Sequence, residues 1–380
     1  MKVVIAPDSF KESMSAPEAA HAIARGVRAV VPDAECVAVP MSDGGEGFTE
    51  SIAAALDARI LDVPVQDALG RPIVGRIAAA DGLAAFEVAS AVGLDLIAPE
   101  ERRIMRASSR GVGQLLLAAA DQAGPGGRVV VGLGGSATND GGAGMLTACG
   151  ARFLDADGTA FDPVPENLDR LDSIDLTGLD PRLGRVQIDA ACDVANPLFG
   201  ADGASAVFGP QKGASAAQVR DLDQLLDRLA ARAVAAGADD AAEQPGAGAA
   251  GGLGWALMAV LRAHMVPGIE LVTRTVGLAE QVADADLVLT GEGSVDAQTL
   301  QGKTPAGVAQ VAAAAGVPCL VFAGRVAADA DVLLEHGVSA LVPILPAVCD
   351  LPAALRDGAA NLERAAATAM RVMRVGAARG

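Results

Sequence analysis

Short runs of apolar, often β-branched residues alternate along this chain with longer stretches in which apolar positions recur every three or four residues. Val3-Val4-Ile5-Ala6 predicts the first buried strand. Behind it, Ser15-Ala16-Pro17-Glu18 has capping-box form, and Ile23, Val27 and Val30 fall on one face of the helix it opens. Residues 128–133 and 187–192 predict further strands, the first ending in glycines and the second followed by Asp193. Residues 215–236 form an amphipathic helix that turns Val219, Leu222, Leu226 and Leu229 inward and stops at Gly237. Toward the C-terminus, residues 286–290 predict a buried strand, and Thr304-Pro305 an N-cap with proline at N1. Residues 317–323 predict another strand and 351–375 one long Ala-rich helix. Alternation of this kind is the pattern of an α/β protein. At 380 residues the chain exceeds one ordinary core, and turn-rich segments at 66–72 and 245–254 mark candidate seams. No internal repeat is visible.

Composition narrows the function classes. Hydrophobic residues are 51% but aromatics only 2%, so the core must be built from Ala, Val, Leu and Ile. A net charge of −18 excludes nucleic acid as a partner, because no basic run could neutralise phosphates. It also means that an anionic substrate needs local cations or helix N-termini. Cys36, Cys149, Cys192, Cys319 and Cys349 are odd in number and lack metal-site spacing, which fits a reducing cytoplasm. His21, His264 and His336 stand far apart and fit structural or surface roles. The chain meets Asp8 too early for a signal-peptide core. The uncharged stretch 244–261 is mostly Gly, Ala and Pro, and reads as a loop leading into a buried helix rather than a membrane span.

Only four of the 29 basic residues are lysine. Lys11, Lys212 and Lys303 sit in polar, loop-like segments, where a compact ammonium suits a moving phosphoryl oxygen better than a guanidinium fork does. The richest loop is Gly134-Gly135-Ser136-Ala137-Thr138-Asn139-Asp140-Gly141-Gly142, where converging backbone N–H groups, hydroxyls and Asp140 could hold phosphate oxygens or a hydrated metal. Gly132-x-Gly134-x-x-Ala137 also satisfies a dinucleotide fingerprint, with Asp155 about twenty residues on. Residues 138–142 would then be the first turns of a helix, and they are poor helix formers. Gly302-Lys303-Thr304 lacks the upstream glycine of a P-loop, since Ala297 stands there.

Glu292 and Asp296 follow the strand at 286–289 and, beside Lys303, suit Mg²⁺ and a transferred phosphoryl group. Asp43 and Glu46, in Asp43-Gly44-Gly45-Glu46-Gly47, form another acidic loop. Asp193 with Asn196 forms a third, and Asp193 is the first choice to deprotonate an attacking hydroxyl, with Asp8 and Asp43 behind it. No Ser/His/Asp arrangement is credible.

Together, Ala6-Pro7-Asp8-Ser9-Phe10-Lys11-Glu12-Ser13, Asp43-Gly44-Gly45-Glu46-Gly47, residues 134–142, Phe208-Gly209-Pro210-Gln211-Lys212-Gly213 and Thr290-Gly291-Glu292-Gly293 resemble the bacterial class I glycerate kinase family. Ala195 and Arg110 depart from its pattern, where an Asp and an aromatic residue are expected. The resemblance implies ATP:glycerate phosphotransfer with Mg²⁺, 2-phosphoglycerate as the usual product, and a two-domain α/β fold distinct from P-loop kinases. It implies a discontinuous domain (1–80 with 266–380), an inserted one (81–265), and an active site in the cleft between them. Expected site residues are Asp193, Lys303, Lys11 and Asp8 for catalysis and Glu292 and Asp296 for metal. Ser9, Asp43, Gly44, Gly45, Gly134, Gly135, Ser136, Thr138, Asn139, Asp140, Gly141, Asn196 and Lys212 are expected to bind substrate or nucleotide. A cytoplasmic monomer or homodimer is expected, with no nucleic-acid or membrane partner. A nicotinamide-dependent oxidoreductase and a non-catalytic nucleotide sensor are the rival readings.

Overall fold

A computed structural model describes residues 1–45 and 47–377. Its strands, in chain order, begin with β1 (Lys2–Ile5), β2 (Glu35–Ala38), β3 (Arg59–Gln66), β4 (Pro72–Ala80), β5 (Leu83–Glu87) and β6 (Arg128–Gly132). They continue with β7 (Arg152–Leu154), β8 (Ser173–Asp175), β9 (Gln187–Ala191), β10 (His264–Val266), β11 (Leu287–Val295), β12 (Cys319–Val326) and β13 (Ala340–Pro343). The chain divides into two compact units. The first takes Met1–Asp43, Glu50–Ala58 and the chain from Gly268 onward; the second takes Gly44–Thr49 and Arg59–Pro267. The chain thus visits the second unit at Gly44–Thr49 and stays in it from Arg59 to Pro267, so the strands at 59–80 belong to that unit. The reason is pairing: β3 runs antiparallel to β4 and β4 to β5, which keeps the hairpin in the second unit's sheet.

In the first unit five strands run parallel in the order β13-β12-β11-β1-β2. Val3, Val4, Ile5, Leu287, Val288 and Leu289 are all fully buried, as central parallel strands covered on both faces must be. Val3, Ile5, Leu287 and Leu289 share a core with Ile23 and Val27 of helix Ala16–Arg28 and with Leu362 and Met370 of helix Gly358–Ala377. The capping box at Ser15 and Glu18 starts the first of these helices. A side chain at Gly26 would meet the Glu363 carbonyl oxygen at 2.2 Å, so the two helices touch there backbone to backbone. The C-terminal stretch is broken into Leu351–Arg356 and Gly358–Ala377, where the sequence pattern predicts one helix. Asp357 leaves helical geometry between them.

The chain leaves β1 toward β2 on one side, whereas β11 leads to β12 and β13 on the other. Strand order therefore reverses between β1 and β11, and the crevice beyond their carboxyl ends is where open α/β sheets take ligands.

The second unit has a six-stranded sheet, order β10-β9-β6-β5-β4-β3, with four parallel strands and the β3–β4 hairpin at one edge. Val112, Leu115, Leu116 and Ala119 of helix Arg110–Ala123 pack onto it. Helix Ala216–Ala235 buries Leu222, Leu226 and Leu229, leaves Val219 half-exposed, and starts with a Ser215/Gln218 capping box. The uncharged stretch becomes a turn at Ala249–Gly251 and a helix at Leu253–Ala259 around a fully buried Trp255. Among the described residues no helix is long and apolar enough to cross a membrane.

Candidate active site

The turn after β1 delivers Asp8 to the switch point of the first unit. The turn is fixed to β11 by two bonds: the Thr290 hydroxyl donates to the Ala6 carbonyl at 2.7 Å, and the Asp8 N–H to the Gly291 carbonyl at 2.9 Å. The Asp8 carboxylate accepts from the Thr304 hydroxyl and, at 2.6 Å, from the Ser9 N–H. Burial, together with the like charge of Asp43, pushes the Asp8 carboxyl up to about 6 even so. Glu292 stands inside β11, opposite Ala323 of β12, because that strand runs on to Val295 rather than ending near 289. Its Oε1 accepts from the Thr299 hydroxyl at 3.3 Å and lies 3.9 Å from the Lys303 ammonium. Burial pushes the Glu292 carboxyl up to about 7; Lys303 opposes the shift, and the neighbouring charges of Asp8 and Asp43 add to it.

Lys303 occupies the N-cap position of helix Thr304–Ala314 without making a side-chain cap bond. Thr304, expected as that cap, is the first helical residue, and its hydroxyl is given to Asp8. Asp296 departs from its expected pairing with Glu292: it caps the turn Ala297–Leu300 and accepts from the Gln298 N–H at 3.0 Å. Lys11 is exposed in the turn that closes between Phe10 and Met14. Asp43 is half-buried in this unit; Glu46 lies outside the described residues.

In the second unit the glycine-rich loop follows β6 and is almost entirely buried. Two of its expected ligand-binding residues have structural duties. Both Asp140 oxygens are taken: by the Ser109 N–H at 2.7 Å and hydroxyl at 2.8 Å, and by the Gly142 and Gly144 N–H groups at 3.1 Å. Burial raises the Asp140 carboxyl, but every partner is a donor, and each favours the ionised form. A side chain at Gly141 would meet Leu229 at 2.3 Å, so this glycine is needed for packing against helix Ala216–Ala235.

Between β6 and Asp140 the loop runs from Gly134 to Asn139. Gly134 keeps close backbone approach, with its N–H 3.4 Å from the Gly44 carbonyl oxygen and a side chain there only 2.9 Å from Gly45, while Gly135 takes a positive φ. The Lys212 ammonium donates to the Thr138 carbonyl at 2.7 Å and the Ser136 hydroxyl at 3.0 Å. Asn139 donates to the Ser205 hydroxyl at 2.9 Å. Asp193 is exposed just past β9, and Asn196 turns its amide to the Asp202 carbonyl at 2.8 Å.

The dinucleotide pattern fails on its own requirement. The helix after β6 starts only at Ala143, with Gly141 and Gly142 at positive φ before it. Asp155, the would-be ribose ligand, is paired to Arg170 at 2.9 Å and held in its own turn by the Thr159 N–H. Thr304, Thr299, Ser109 and Ser205 are the partners that sequence reasoning missed. A hydroxyl gives no local sign of a distant carboxylate, and Thr304 carried a competing signal as a helix start.

Residues 3–374 match the model of the glycerate kinase family. The chain is 45% identical to the glycerate kinase of Bacillus subtilis (strain 168), covering 96% of both proteins, and 44% identical to the glycerate 2-kinase of Escherichia coli (strain K12), covering 99% of both. A crystal structure described as glycerate kinase 2 from Salmonella typhimurium LT2 superposes with a TM-score of 0.90 at 42% identity, covering 99% of each chain.

Proposed function

The chain belongs to the glycerate kinase family, and from that premise we propose that it transfers the terminal phosphoryl group of ATP to a hydroxyl of D-glycerate, giving 2-phosphoglycerate in the cytoplasm. The observation that carries the site assignment is the switch point of the first unit. There two carboxyls, Asp8 and Glu292, are raised by burial, flanked by Asp43 and faced by the single ammonium of Lys303.

Phosphoryl transfer needs a group to take the alcohol proton and cations to hold the charge on the phosphoryl oxygens. Asp8, half-buried and poised near 6, suits the first task. Asp193 is exposed just past β9, and it is kept as the rival base. Lys303 supplies positive charge beside Glu292, and Lys11, exposed in the turn after Phe10, is proposed as a second cation. Ser9 fixes Asp8, and Gly134, Gly135, Ser136 and Thr138 line the loop proposed to receive substrate oxyanions.

Mg²⁺ fits the donor set at Glu292 and Asp43. Three neighbouring acids and one lysine leave negative charge that a dication offsets, and Mg²⁺ favours one or two carboxylates completed by phosphate oxygens over a full protein cage. Among the described residues no three His, Cys, Asp or Glu side chains converge on such a cage. Held by Glu292 and Asp43, the ion would supply positive charge against that of the transferred phosphoryl group.

A thermal measurement checks this without turnover. The raised carboxyls contribute stability below their unfolded values, and that stability is lost as pH rises through about 6 and 7. Millimolar Mg²⁺ should therefore raise Tm by a few degrees at pH 8, on the order of 1–3 kcal/mol for ligand well above Kd. The shift should shrink at pH 5.5 and in Glu292→Gln. An equal shift in that variant would move the metal elsewhere.

The direct test of the reaction is phosphorus NMR of the product formed from ATP and D-glycerate. A phosphoryl group on the secondary hydroxyl is expected. Phosphate on the primary hydroxyl corrects the position, and ATP binding with no phosphorylated acid sinks the kinase reading.

A further inference from the structure

We infer that Lys212 receives an anionic group of one of the two substrates, a carboxylate or a phosphate oxyanion, and takes up a proton from solvent as that group binds; this rests on the kinase reading above. Lys212 is only 3% exposed, at the end of a short turn after helix Ala204–Phe208. Both of its acceptors, the Thr138 carbonyl and the Ser136 hydroxyl, are neutral, and its third N–H is free of any described partner. An ammonium in such a place has lost its water without gaining a counter-ion.

One charged group acts on it. Asp140 attracts it, but that carboxylate is already saturated by Ser109, Gly142 and Gly144. Arg102 donates to the carbonyl of the preceding residue, Gln211, at 3.1 Å. Burial pushes the Lys212 ammonium down to about 7, with Asp140 opposing only in part.

A second feature points to a ligand. The Thr138 hydroxyl, in a residue 0% exposed, and the Asn139 side-chain oxygen are buried with no partner. A strut that merely tied the loop to the turn would need neither a spare ammonium proton nor an idle buried hydroxyl beside it, since each costs free energy. An oxyanion accepting from the ammonium and the Thr138 hydroxyl would satisfy those two donors; the Asn139 oxygen, an acceptor, is no partner for it. The oxyanion would also return the ammonium to its ordinary range, so above pH 7 binding and protonation are linked. The affinity for the ligand concerned should then fall about tenfold per pH unit above 7.

The test is calorimetric titration of the whole protein at pH 8 in HEPES and in Tris, whose ionisation enthalpies differ. D-glycerate is titrated in one arm and MgADP in the other. One arm is expected to show uptake of about one proton, and that arm identifies the source of the anion. Asp8 near 6 and Glu292 near 7 titrate in an overlapping range, but their contribution remains in a variant of Lys212. Lys212→Met fills the same volume without charge and should abolish most of the uptake. Lys212→Arg, permanently charged, should bind with no uptake and a flat pH dependence from 7 to 9, and it decides the matter if the Met variant fails to fold. No uptake in either arm, or unchanged uptake in the variants, overturns the inference. If turnover of D-glycerate is normal in that case, the kinase reading stands; a wild type that neither binds nor phosphorylates D-glycerate sinks that reading instead.

Discussion

Asp8→Asn is expected to lower kcat by about 10²- to 10⁴-fold, with the KM for ATP changed by no more than about threefold. The substitution keeps the size of the side chain; its one oxygen can accept from the Ser9 N–H while its NH2 donates to the Thr304 hydroxyl, so the turn after β1 should hold its shape. What it removes is a carboxylate that can accept a proton near neutral pH. In the wild type the acid limb of kcat/KM should reflect Asp8 near 6 and Glu292 near 7. Activity is therefore lost as pH falls through that window, when the two groups are protonated. Asp193→Asn is the companion measurement. Exposed beyond β9, Asp193 should tolerate the change with a loss of less than about tenfold. The reverse outcome, a tolerant Asp8 and a crippled Asp193, would return the proton to Asp193 and leave Asp8 as a structural acid.

Lys303→Ala is expected to lower kcat/KM by about tenfold to a thousandfold, the scale of losing one charge-stabilising group. Lys303 is the cation that faces Glu292, at 3.9 Å, and it opens helix Thr304–Ala314, whose N-terminal dipole adds to its charge. Its removal also takes away the one influence of the neighbouring ammonium that lowers the Glu292 carboxyl, so the acid limb should move to higher pH. Lys303→Arg should rescue poorly, because a planar fork cannot follow a phosphoryl group as a point charge does. Near-normal activity with an unmoved acid limb in Lys303→Ala would make this lysine a surface residue.

The expectations that held are those that depend on local chemistry. The capping boxes at Ser15 and Ser215 appear where the sequence puts them, because a capping bond spans only three residues. Strand–helix alternation and β-branched runs were enough for an α/β fold, since burial on both faces demands such runs. The absence of a good helix former between Thr138 and Gly142 likewise told against a dinucleotide loop, and the helix indeed waits until Ala143. The loops rich in Gly, Asp and Lys stand out in the sequence as candidate sites, because such residue types are costly to bury without a partner.

Division of labour among those residues was settled only by the tertiary structure. Asp140 and Glu292 are both acids in glycine-rich segments, and nothing in sequence separates them. Asp140 meets four donors and becomes internal scaffolding, while Glu292 meets one hydroxyl and one ammonium and is left with capacity for a ligand. Asp296 accepts from the Gln298 N–H beside it and caps the turn that follows. Asp8 and Thr304 are 296 positions apart along the chain and hydrogen-bonded in the fold. Sequence determines which groups a protein can bring to a site. Which of them remain unsatisfied, and so able to act, is decided by distant partners that only the packed chain supplies.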